Sequence, residues 1–180
     1  MPKLGQPFAG YIRSSIELFS AFAQAGFEVC PAGFIGGVSE IYPGNIWVRL
    51  ARRVLPKKST NEGRLARKLI LQALGVIDLP ILPTHDENDA CVGSVLAAAA
   101  DCKVSGMSLR GLGLPIVIDA DRTLREGVMV IPEISEEAQR RIEKALSNIP
   151  AVMTTITRTS LQRGSPQAAM ERATALRDCL

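Results

Sequence analysis

Residues Leu82 to Cys102, LPTHDENDACVGSVLAAAADC, constrain the fold more than any other stretch. Three acids, Asp86, Glu87 and Asp89, fall within four residues, and Ala90 to Ala100 then carry no charge. The uncharged run reads as a helix, with negative side chains at the end where the helix dipole favours them. A helix that is apolar all round is expected to be buried on most sides, so other elements must pack around it. A chain of 180 residues is long enough to do this as one domain with a real core. Apolar residues at 47% and charged residues at 22% are ordinary globular values, while aromatics at 4% leave the core to Leu, Val, Ile and Ala.

Two readings of the acids compete. Thr84 and Glu87 form the T-x-x-E pattern of a capping box, which accounts for Glu87 in full. Asp86 and Asp89, three residues apart, sit about 60° apart around a helix axis and can aim at one point. A partly desolvated carboxylate pair repels itself unless a proton or cation lies between, and Mg²⁺ suits oxygen ligands of this kind. Glu40, between the apolar Val38 and Ile41, is the candidate acid from a second element. Its alternative is a place on the solvent face of a strand.

Other chemistries find less support. Cysteines stand at 30, 91, 102 and 179 without a CxxC pair, and His85 is the only histidine. Zinc therefore lacks ligands and a disulfide framework lacks spacing, which points to a reduced, cytoplasmic setting. Cys91 and Cys102 are expected to share a helix face as small hydrophobes. Cys91 lies in an apolar run unfavourable to a thiolate, and His85 is a candidate proton carrier beside the acids. The start, MPKLGQPFAGYIRSSIELF, lacks a signal-peptide pattern, and no apolar run is long enough to span a bilayer, so no membrane role is expected. No GxxxxGK[ST] or GxGxxG motif supports a nucleotide enzyme. Gly106 to Gly113, GMSLRGLG, reads as a loop, with a phosphate cradle as its alternative. A net charge of +3 permits a nucleic-acid partner without demanding one.

Periodicity predicts a helix over 12–25 ended by Gly26, and a strand around Val38 to Tyr42 stopped by Pro43-Gly44. Asn45 is expected to cap a helix closed by Pro56. A further helix runs to Leu74, with one apolar stripe and basic residues on its remainder, and ends at Gly75. Strands are predicted near 115–119 and 126–131, then a helix opened by Ser135. A last strand is expected over Ala151 to Thr157, and Ser165-Pro166 opens a C-terminal helix. The expected organisation is one domain over 1–157 with a helical appendage over 158–180.

In this order, the strand-ending glutamate of SEIYPGNIW, the basic KKSTNEGR and the D-x-x-D-A pattern of DENDA resemble predicted RNase H-like nucleases of the RuvC type. The likeness is to a poorly characterised branch and takes in LREGVMVIP, covering roughly residues 10 to 132. It implies an α/β chain with an incomplete RNase H-like fold, a mixed sheet flanked by helices. Glu40 matches the acid of the fourth strand, and Asp86 and Asp89 match the paired acids of the final core helix. In the family such acids hold two divalent ions, Mg²⁺ or Mn²⁺, for phosphodiester hydrolysis. Lys57, Lys58, Arg64, Arg67 and Lys68 are of the right type to meet phosphates, though a solvated helix face explains them as well.

The pattern departs from the family at its start. The family opens on a strand bearing an aspartate, followed by two more strands. Here Glu17 and Glu28 are the only acids before Glu40. With the N-terminal hairpin missing, the resemblance implies a nuclease weakened or inactive, a fragment, or one completed by another polypeptide. A bare sheet edge favours a homo-oligomer or a protein partner. The expected function is a Mg²⁺-dependent nuclease acting on DNA or RNA; the alternative is a non-catalytic interaction module derived from that fold.

Overall fold

The computed structural model describes residues 9–30, 34–118 and 124–153. In chain order these form α1 (Ala9–Gln24), β1 (Glu40–Ile41), α2 (Pro43–Ala51), α3 (Asn61–Ala73), α4 (His85–Ala100), β2 (Met107–Ile118), β3 (Leu124–Ile134) and α5 (Glu136–Ser147). The appendage expected over 158–180, with its Ser165-Pro166 start, lies outside the described residues.

The architecture is mixed α/β. Its three-stranded sheet has the order β1-β3-β2, with β1 parallel and β2 antiparallel to β3. The mixed sheet flanked by helices is as expected. The strands are longer and shorter than the sequence suggested. Gly106 to Gly113 is not a loop: from Met107 onward it is strand, pairing Met107 with Ile134 and Gly113 with Val128. Its glycines hid the strand, and Gly111 has a packing reason to be there. A Cβ at Gly111 would press into the Val128 side chain, so the strand accepts the glycine penalty for a close approach.

The strand ends before Pro43-Gly44 as expected, and Pro43 then opens α2. Proline suits a first helical turn, where its missing N–H would have had no partner. Tyr42 takes the N-cap position, and Asn45 sits inside the helix, accepting from Arg49 Nε at 3.2 Å. Arg52, left-handed at φ 50°, closes α2 well before Pro56. The starts of α4 and α5 follow the sequence closely. Thr84 and Glu87 form both bonds of the capping box, and Ser135 accepts from the Ala138 N–H at 3.2 Å. Ala151 to Met153 are helical rather than strand, and the rest of that expected strand lies outside the described residues.

The core gathers Ile46, Trp47 and Leu50 of α2 with Leu65, Leu69 and Ile70 of α3. Val92 and Leu96 of α4, Val130 of β3, and Ile142 and Leu146 of α5 complete it. Each such side chain contributes about 1.5–3 kcal/mol when taken from water. The two central helices exchange their expected places. α3 is buried along Leu65 to Leu71, including Arg67 and Lys68. α4 buries only the stripe Asn88, Val92, Val95, Leu96 and Ala99. The exposed side of α4 includes Ala90, Ser94 and Ala97, residues too small to expose much apolar area. Cys102 is exposed and left-handed at φ 55°, so it does not share the packing of Cys91.

Candidate functional site

The N-terminal turn of α4 meets α2 and the 56–64 segment. Asp89 is its centre. The Trp47 indole N–H donates to Asp89 Oδ1 at 2.7 Å, and Lys58 Nζ donates to Oδ2 at 3.2 Å. Both carboxylate oxygens are thereby engaged, and the Asp89 side chain is 19% exposed. Asp86, by contrast, is 84% exposed. Its Oδ1 lies 2.8 Å from His85 Nδ1, yet outside hydrogen-bond geometry. Glu87 is spent on the cap, where the Thr84 backbone N–H and hydroxyl hold its carboxyl below the usual range.

Glu40 lies elsewhere. Its neighbours Ser39 and Ile41 line a cavity of about 240 Å³ with Gly93, Leu96 and Ala97 of α4. Strand alternation sends the half-buried Glu40 toward the opposite face. The structure therefore brings Asp89 and Asp86 onto one helix turn without bringing Glu40 to them. Among the described residues, no three His, Cys, Asp or Glu side chains converge in a way that could hold a metal ion. Among the described residues, the donor set does not fit a two-ion centre.

The basic residues divide in the same way. Lys57 and Lys58 are exposed. Arg64 donates from Nε to the Pro83 carbonyl at 2.6 Å and from Nη2 to the Leu82 carbonyl at 2.8 Å. Arg67 donates to the carbonyls of Pro56 and Gly63 at 3.1 and 2.7 Å, and Lys68 to that of Ile81 at 3.2 Å. A solvated helix face thus does not describe Arg67 and Lys68, which are buried. Burial pushes the pKa of both downward, opposed at Arg67 by the charge of Asp89. These side chains staple the loops on either side of α3 to its surface.

Three residues of this cluster were not singled out from sequence. Trp47 is 1% exposed and carries the Arg67 guanidinium 5.8 Å from its ring centroid, a cation–π distance. Asn88 is fully buried and donates to the Arg64 carbonyl at 3.2 Å, tying α4 to α3. Its signal was a polar residue on the stripe that continues as 92, 95, 96 and 99. At Gly63 a Cβ would be driven into the Lys57 carbonyl, so glycine is required for the 56–57 segment to lie on the helix. Nothing local announces that.

Comparison of the chain with protein-family models, curated proteins and solved structures returned no match. Among the described residues, no helix is long and apolar enough to cross a membrane.

Proposed function

We propose that the chain is a domain of RNase H-like descent that acts as a non-catalytic interaction module. The observation that carries this reading is the engagement of Asp89. Its two oxygens serve Trp47 and Lys58, so the more enclosed of the two acids on α4 is a structural acceptor. The placement of Glu40 away from Asp86 and Asp89 supports the same conclusion. The descent itself rests on the order of the glutamate strand end, the KKSTNEGR segment and DENDA. For a module, the sheet offers an edge: among the described residues β2 pairs on one side only, with β3. Open backbone groups of that kind suit a second copy or another protein.

A Mg²⁺- or Mn²⁺-dependent nuclease is the second reading, favoured by one observation. Lys58 is 54% exposed, so its contact with Asp89 is weak and an incoming cation can displace it. Asp89 with Asp86 would then hold an ion whose chemistry is the activation of water for phosphodiester hydrolysis. Lys57 and the released Lys58 would meet phosphate.

Calorimetric titration of Mn²⁺ into the full chain and into an Asp86→Asn, Asp89→Asn variant separates the two. The module reading expects no saturable uptake by either. Uptake by the parent that is lost in the variant, accompanied by cleavage of DNA or RNA, would overturn it.

A further inference from the structure

A groove of about 600 Å³ runs between the end of α2 and the last residues of β3. Its apolar part is Val48, Val54, Pro132 and Ile134. Val54 is 86% exposed and Val48 43%, large aliphatic side chains left in water. Three arginines, Arg49, Arg52 and Arg53, flank them. Arg52 is committed to Glu136 at 2.8 Å, and the one carboxylate in the groove, Glu133, pairs with Arg110 at 3.4 Å. Among the described residues, Arg49 uses only its Nε, on Asn45. Arg53 makes no hydrogen bond or ion pair among the described residues. Two guanidinium groups therefore border an aliphatic surface with no carboxylate among the described residues paired to them.

We propose that this groove binds an acidic, aliphatic peptide segment of a protein partner. Carboxylates of the segment pair with Arg49 and Arg53, whose planar forks match them, while its aliphatic side chains cover Val48, Val54, Pro132 and Ile134. The proposal names the partner chemistry of the interaction module and rests on that reading. A nucleic acid fits less well. Among the described residues, no aromatic side chain lines the groove for bases to stack on. Simple strand addition is also disfavoured, because Pro132 has no N–H to donate to a strand laid beside β3.

The test is fluorescence anisotropy on the full chain with three labelled probes. These are a short peptide of Asp, Glu, Leu and Val, the same peptide with Lys for each acid, and a single-stranded thymidine oligonucleotide. Saturable, salt-sensitive binding of the acidic peptide alone is expected. In the Arg49→Gln, Arg53→Gln variant its affinity should fall at least about tenfold, the loss of two charge-assisted contacts. Both residues are exposed, and an unchanged circular dichroism spectrum and melting curve would show that the fold is retained. Val54→Ser should weaken the same peptide about threefold through lost aliphatic contact. No saturable peptide binding, equal affinity in the double arginine variant, or oligonucleotide binding that the variant loses would each overturn the proposal. Mn²⁺ uptake with nucleic-acid cleavage alongside intact peptide binding would sink the non-catalytic reading and leave the groove standing.

Discussion

Trp47 and Asp89, 42 positions apart, are joined by an indole N–H donated to a carboxylate oxygen at 2.7 Å. The bond satisfies a buried indole and pins the N-terminal part of α4 against α2. The Arg67 guanidinium over the Trp47 ring adds α3 to the same junction. A residue whose sequence context suggests a metal ligand is thus the meeting point of three helices.

Asp89→Ala should lower stability by about 2–3 kcal/mol, because it leaves the Trp47 N–H buried without an acceptor. Lys58→Ala, which breaks the more exposed contact to the same carboxylate, should cost less than about 1 kcal/mol. Urea midpoints of the two variants measured side by side would check the contrast. Equal losses would mean that the indole bond has no special weight.

Arg67 donates to two carbonyls from a buried position, so truncation removes bonds, stacking and volume together. Arg67→Ala is expected to cost about 3 kcal/mol or more. Arg67→Lys should recover little of it, since an ammonium cannot reproduce the planar fork over Trp47. Thermal melts of the three proteins decide whether geometry or charge matters.

At Gly63 the obstacle is backbone rather than a movable side chain. Gly63→Ala should therefore destabilise by about 2–4 kcal/mol despite the better helix propensity of alanine. A variant as stable as the parent would show that the 56–57 segment can lift away from α3 at little cost.

The capping box predicts a pH effect with a definite sign. Hydrogen bonds from the Thr84 backbone and hydroxyl hold the folded-state pKa of Glu87 below its ordinary 4.5. The stabilisation is complete above the unfolded value and disappears as pH falls through the lower, folded value. Glu87→Gln keeps the capping geometry but removes the titration, so its acid limb should be flatter than that of the parent. Chemical denaturation across the acid range would show it, and superimposable limbs would count against the assignment.

Local signals were legible wherever both partners lie within a turn or two. The capping box at Thr84, the cap at Ser135 and the ends at Gly26 and Gly75 all belong to this class. Legibility failed where side-chain size or a distant neighbour intervened. α4 looked buried because its residues are apolar, but alanine, glycine and serine can face water at little cost. α3 looked half-solvated because it is rich in Arg and Lys, yet Arg64, Arg67 and Lys68 found carbonyl acceptors in the flanking loops. The strand at Met107 was hidden by the glycine that lets Val128 approach. The groove beside Arg49 and Arg53 could not be read at all, because β3, which supplies Pro132 and Ile134, lies far along the chain from α2.

By itself, then, the sequence determined where α4 and α5 begin, that the chain is mixed α/β, and which acids stand at the mouth of α4. Only the tertiary structure decided what those acids touch. Glu87 meets Thr84 three residues away, a contact that local geometry makes inevitable once the helix forms. Asp89 meets Lys58 and Trp47, 31 and 42 residues away, and such contacts exist only after three helices have packed.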